Sequence, residues 1–104
     1  MRLRACSLDD LSDGEMQLVE GGPEAIALYR VDGAYYATSD VCSHGQSSLT
    51  EEGELNGFTI ECGWHFGCFD VRSGMPTALP CNKPIRTYRV IVEGDEVYIE
   101  TESA

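Results

Sequence analysis

Thr87-Tyr-Arg-Val-Ile-Val-Glu-Gly-Asp-Glu-Val-Tyr-Ile-Glu100 is the stretch from which the fold class follows. Its apolar residues are β-branched or aromatic, as half-buried strands require. They lie on either side of Gly94-Asp95, a two-residue turn that closes a hairpin. The segment therefore predicts strands over Thr87–Val92 and Glu96–Glu100. Upstream the same pattern recurs: Ala25–Val31 and Tyr35–Thr38 flank Asp32-Gly33, a second hairpin signal. Gly21-Gly22-Pro23 separates Ala25–Val31 from another candidate strand at Met16–Val19, and Arg2–Ala5 reads as the first. Between them Leu8–Glu15 is a polar connector with one helical turn at Asp9-Asp10-Leu11. No segment carries a long 3.6-residue apolar period, so the expected class is an all-β sandwich or barrel.

A chain of 104 residues fits one domain, 1–104, and nothing in it reads as a linker, repeat or low-complexity tract. A hydrophobic content of 42% is too high for a disordered chain. Asp and Glu number 18 against 7 Lys and Arg. That balance excludes an ordinary nucleic-acid surface, which needs clustered cations, and disfavours anionic membranes. Acidity either keeps a small protein in solution or steers it toward a positively charged protein partner. No apolar run has the length of a membrane span, and Met1-Arg-Leu-Arg-Ala-Cys6 lacks a signal-peptide core, so the expectation is a soluble, cytoplasmic protein. Five cysteines cannot all pair in disulfides. Metal ligation and apolar packing are the commoner uses of cysteine in an unexported chain.

The middle of the chain departs from the strand pattern. Residues Asp40–Phe69 hold both histidines and three of the five cysteines, Cys42, Cys62 and Cys68, among glycines and polar residues. Two motifs stand out, Cys42-Ser-His44 and Cys62-Gly-Trp-His65, with seventeen residues (45–61) between His44 and Cys62. Each offers one thiolate and one imidazole from a single loop, so together they supply two sulfurs and two nitrogens. Three readings meet this pattern. One is coincidence, which leaves unexplained why each histidine follows a cysteine by two or three residues. Another is structural zinc, for which Cys-x-His is a poor tetrahedral chelate and the alternating order unusual. In the third, two cysteines hold one iron and two histidines the other iron of a Rieske 2Fe–2S cluster, each loop reaching both irons.

The match extends beyond these four residues. Cys42-Ser-His-Gly45 and Ile60-Glu-Cys-Gly-Trp-His-Phe-Gly67 resemble the small Rieske-type ferredoxins of bacterial aromatic-ring-hydroxylating dioxygenase systems, as do Phe69-Asp-Val-Arg-Ser-Gly74, Ala78-Leu-Pro80 and Val92-Glu-Gly-Asp-Glu-Val97. The resemblance implies a β-sandwich with a small two-loop cluster-binding subdomain at one tip, about residues 40–84. It implies that Cys42 and Cys62 bind the inner iron, and that His44 and His65 bind the outer iron and reach the surface. Met75–Pro84, by itself an ordinary connecting loop, resembles the proline-containing segment that shields the cluster in this family. High-potential respiratory Rieske proteins carry a further disulfide-bonded cysteine in each loop; Ser47 and Trp64 occupy the corresponding positions here. Those proteins also place Ser and Tyr hydroxyls where this chain has Gly67 and Phe69. Without hydroxyl donors to the cluster, a midpoint in the lower part of the Rieske range, roughly −150 to +300 mV, is expected.

Cys6, Cys68 and Cys81 read as packing residues, Cys68 at the start of the next strand. Trp64 and Phe66 read as an apolar wall around His65. No flavin, nicotinamide or mononuclear-iron motif accompanies the cluster motif, so the chain is expected to be no enzyme but an electron carrier. The resemblance implies one 2Fe–2S cluster, a flavoprotein reductase using NAD(P)H as donor, a terminal ring-hydroxylating oxygenase as acceptor, and a monomer. Rival readings are a Rieske-like small subunit of a nitrite reductase, a ferredoxin for a diiron monooxygenase, and a zinc-stabilised binding module.

Overall fold

The computed structural model describes residues 2–22, 24–41, 48–63, 67–78 and 83–101. In chain order its strands are β1 (Arg2–Ser7), β2 (Met16–Val19), β3 (Ile26–Val31), β4 (Ala34–Ser39), β5 (Glu54–Asn56), β6 (Thr59–Glu61), β7 (Cys68–Asp70), β8 (Pro76–Ala78), β9 (Thr87–Glu93) and β10 (Glu96–Glu100). A single helical turn, α1 (Leu49–Glu52), precedes β5. The expected hairpins are present. At the first, Asp32 and Gly33 both take positive φ, 52° and 80°, the mirror-image turn whose twist matches its flanking strands. The expected helical turn is a 3-10 turn at Leu8–Asp10, one residue earlier than read from the sequence. The Asp10 carboxylate accepts the Ser7 N–H at 2.9 Å and holds it.

Six strands form one antiparallel sheet in the order β1-β10-β9-β4-β3-β2. Inside it β4 pairs with β9, through Ala37↔Tyr88 and Thr38↔Thr87. The Ser39 N–H donates to the Arg86 carbonyl at 2.8 Å beside it. Residues 40–86 therefore leave and re-enter the sheet between two neighbouring strands. The sequence reading expects this middle to be irregular; instead its described residues build a second antiparallel sheet, β5-β6-β7-β8. Strands of three residues are too short to display a period of two, which is why their pattern is invisible in the sequence.

Two apolar cores share β3. Ile26 and Leu28 point to one side, against Cys6, Val19, Val97 and Ile99. Ala27 and Tyr29 point to the other, against Leu49, Ile60, Cys62, Phe69, Val71 and Ile85 of the insertion. A strand buried on both faces reads as an unbroken apolar run, as Ile26-Ala27-Leu28-Tyr29 does. Full burial of a Leu or Ile contributes about 1.5–3 kcal/mol, so β3 fastens the insertion to the sheet.

Candidate metal centre

Cys62 follows β6 directly and is fully buried in the second core, 0% exposed. Its N–H donates to the Gly67 carbonyl at 2.6 Å, which joins the residues on either side of His65. Val41 and Ser48, on either side of the first motif, are joined likewise, by an antiparallel bridge. Each cysteine–histidine motif is thus flanked by described residues that are tied to one another. Cys42, His44 and His65 lie outside the described residues, as do Ser47, Trp64, Phe66, Pro80 and Cys81.

The first loop is tied by a buried polar run that the sequence reading did not single out. Thr38, Ser39 and Asp40, consecutive at the end of β4, are 0%, 6% and 3% exposed. Burying such groups is costly unless they are hydrogen-bonded, and each of them is. The Asp40 Oδ2 accepts the Ser48 hydroxyl at 2.5 Å, while Oδ1 accepts the Thr50 N–H and the Thr50 hydroxyl, both at 2.8 Å. The Asp40 carbonyl accepts the Leu49 N–H at 2.7 Å, and its N–H donates to the Ala25 carbonyl at 3.0 Å. The Ser39 hydroxyl accepts the Val41 N–H at 3.3 Å and donates to Glu24 at 3.1 Å. Glu24 also accepts the Tyr88 hydroxyl. Burial first, and then the hydrogen bond and charge of Glu24, push the Tyr88 phenol up to about 12. The Thr38 hydroxyl pairs with that of Tyr29 at 2.9 Å, whose own pKa burial raises.

α1 joins this first loop to the second. Ser48 is its N-cap, accepting the Glu51 N–H at 3.2 Å. At its other end, a Cβ built on Gly63 would lie 2.3 Å from the Glu52 carbonyl oxygen. Only glycine allows the backbone after Cys62 to rest on the end of α1. A second close approach joins the residues on either side of 75–84: Gly74, at φ 75°, would place a Cβ 2.2 Å from the Ile85 carbonyl. The Ile85 N–H donates to the Gly74 carbonyl at 2.9 Å there. Within this segment Pro76 opens β8 and Met75 is 53% exposed.

The remaining described cysteines differ from Cys62. Cys6 is buried among apolar residues of the first core, as expected of a packing residue. Burial first, and then Asp10, pushes its thiol pKa up. Cys68 opens β7 as the sequence predicts, but is half-buried rather than buried. Burial, Glu61 and Cys62 raise its pKa. Phe69 is fully buried in the same core as Cys62, so an apolar ring stands at this position.

The described part of the site fits an iron–sulfur cluster held between two loops. Cys62 is buried in an apolar core where the flanks of its motif are joined, the flanks of the first motif are joined and tied to the same helical turn, and the start and end of a third segment are tied nearby. Low solvent exposure and a rigid ligand frame are what tune and retain such a group.

A family model described as the Rieske [2Fe-2S] domain matches residues 1–89. The chain is 45% identical over 96 residues to the ferredoxin component of the p-cumate 2,3-dioxygenase system of Pseudomonas putida, covering 91% of this chain and 81% of that protein. Among solved structures it is similar to the ferredoxin of carbazole 1,9a-dioxygenase from Nocardioides aromaticivorans IC177, with a TM-score of 0.92 and 36% identity over 97% of this chain and 98% of that one. It is also similar to a chain in the complex of reduced oxygenase and oxidized ferredoxin in carbazole 1,9a-dioxygenase, with a TM-score of 0.93 and 40% identity over 99% of this chain and 95% of that one.

Proposed function

Because the chain belongs to the Rieske 2Fe–2S family, we propose that it is the ferredoxin of an aromatic-ring-hydroxylating dioxygenase system, an electron carrier and not the oxygenase. Its relatives' names and its near-complete overlap with solved ferredoxins carry this reading. The nitrite-reductase and diiron-monooxygenase readings find no such support. The bound 2Fe–2S cluster supplies a one-electron couple. Cys42 and Cys62 would hold one iron and His44 and His65 the other; the full burial of Cys62 supports its place on the inner side.

The protein's own contribution is to fix those side chains and to keep water from the sulfurs. Cys62 is held by its turn and by Ile60, Phe69 and Val71. The pair Cys42 and His44 is presented from the loop tied at Asp40. The cluster-binding subdomain is taken as about residues 40–84. No hydroxyl is available at Gly67 or Phe69 to stabilise a reduced, more negative cluster, so the midpoint belongs in the lower part of the Rieske range. With a net charge of −11, the chain's own field adds to that preference.

The donor would be a flavoprotein reductase using NAD(P)H and the acceptor a terminal oxygenase, as the solved oxygenase–ferredoxin complex supports. The carrier would work as a cytoplasmic monomer, without nucleic acid or membrane as a partner. Among the described residues no helix is long and apolar enough to cross a membrane. The experiment is absorption and EPR of the purified protein before and after dithionite, followed by titration against such a reductase and oxygenase. A red-brown protein with the low average g of a histidine-ligated 2Fe–2S centre, reduced by one and reoxidised by the other, is the expected result. A colourless protein containing zinc overturns the reading.

A further inference from the structure

Among the described residues the buried hydrophilic side chains are Thr38, Ser39 and Asp40, consecutive and ending two residues before Cys42. Asp40 alone is ionisable among them. A carboxylate at 3% exposure is expensive to desolvate unless it is hydrogen-bonded. Its hydrogen bonds show what it is for. Among the described residues none of its side-chain bonds runs back into the six-stranded sheet; three go forward past the first motif, to Ser48 and Thr50. Its main chain does the reverse, with the N–H bonded back to Ala25 beside β3 and the carbonyl bonded to Leu49 of α1. One residue thus joins the sheet, the start of the loop and the start of the helical turn on which the second loop rests.

We propose that Asp40 is the positioning residue of the first ligand motif: by tying Ser48 and Thr50 to the end of β4, it fixes the two ends of the chain between which Cys42 and His44 lie. The proposal rests on the ligand reading above. It goes further by assigning retention of the cluster, and the geometry of its histidine side, to a residue that ligates nothing. A carboxylate suits this task better than an amide because it accepts all three bonds at once with two oxygens. Glu at this position would carry the same charge on a longer arm and could not keep Ser48 and Thr50 at the same distances.

The test compares Asp40→Ala, Asp40→Asn and the double variant Ser48→Ala/Thr50→Val with Val97→Ala, which weakens the first core, away from the loops. Each holoprotein is incubated with an iron chelator, and loss of visible absorbance is timed. EPR g-values are recorded after reduction, and circular dichroism reports the strands. Asp40→Ala is expected to lose its cluster at least about tenfold faster than the wild type, because hydrogen bonds to a charged group contribute free energy of that order. Its g-values should shift while its strand signal remains. Asp40→Asn, which keeps an accepting oxygen for Thr50, should fall between the two. Should Asp40→Ala not fold, the double variant tests the same ties from the other side.

Val97→Ala should unfold more easily with unchanged g-values. Wild-type g-values together with cluster loss no faster than in Val97→Ala would overturn the proposal. His44→Ala separates it from the ligand reading. If that variant keeps the histidine-ligated spectrum, the ligand assignment falls, and the proposal with it. If it loses the spectrum while the Asp40 variants behave as wild type, only the positioning role falls.

Discussion

The six-stranded sheet pairs strands of four to seven residues, whereas each strand of the inserted sheet has three. The larger sheet is held in the ordinary way, by long ladders and an apolar interior. The insertion has short ladders and relies on backbone approaches that only Gly53, Gly63 and Gly74 permit, together with one buried carboxylate. Such a unit gains much of its stability from whatever its loops bind, since a group that binds only the folded form stabilises it by mass action. The larger sheet, with its own ladders and core, should not depend on that group. A scaffold that stands alone and a tip that stands only when loaded would let the cluster be inserted after folding.

The largest effect should come from Cys62→Ser. Visible absorption and the EPR signal are expected to disappear, and amide exchange should become fast in β6 and β7 while β3, β9 and β10 stay protected. Equal exchange in both sheets would break the division. A pair of core truncations sharpens it. Leu28→Ala and Ile60→Ala each remove a fully buried side chain and should cost about 2–5 kcal/mol in denaturant unfolding. Leu28 faces the first core and Ile60 the one that holds Cys62. Only Ile60→Ala should therefore change the EPR line shape; the same change in both would show that the two cores are coupled.

Gly63→Ala ranks next. The added methyl meets the Glu52 carbonyl, and overpacking of this kind costs about 1–3 kcal/mol. Gly33→Ala is its counterpart in the larger sheet. There the backbone is left-handed, at φ 80°, but open space surrounds the position, so only the backbone strain remains. Chelator-driven cluster loss should speed up in Gly63→Ala and stay at the wild-type rate in Gly33→Ala.

The same division governs what the sequence discloses. Both long hairpins are legible because turn and strand lie within about fifteen residues and the apolar pattern has room to repeat. Their ends move by at most one residue, as strand ends do. The hairpin of β5 and β6 has a signal too, Asn56-Gly57, with Gly57 at φ 58°, but three-residue strands give it no pattern to flank. Ser48-Leu-Thr-Glu51 has the spacing of a helix start, and Ser48 is the N-cap of α1. At the candidate site, the spacing of Cys62 to His65 is what marks it in the sequence, because a proposed ligand pair that is local in the chain leaves a local pattern. Asp40 is not. Its partners are eight and ten residues further on, and an acidic residue in a chain this acidic looks like any other until the fold buries it.

The smallest expected effect concerns the strap between the two regions. Tyr88 belongs to the larger sheet, yet its hydroxyl holds Glu24, Glu24 holds the Ser39 hydroxyl, and Ser39 holds Val41 at the mouth of the first loop. The phenol ordinarily titrates near 10.0 and is pushed up to about 12 here. Between those values the unfolded chain has lost a proton that the folded chain keeps, so stability falls as pH rises. The contribution is complete below the lower value and gone above the upper one. Tyr88→Phe should therefore flatten, without abolishing, the alkaline decline of the urea midpoint, because buried Tyr29 is raised as well. At neutral pH the substitution removes one hydrogen bond, worth about 1 kcal/mol. If Tyr88 only stabilises the sheet, that loss appears in unfolding and cluster retention is unchanged. If the strap reaches the loop, cluster loss also accelerates, by less than in Asp40→Ala, because Asp40 spans the loop with three bonds and the strap ends at one.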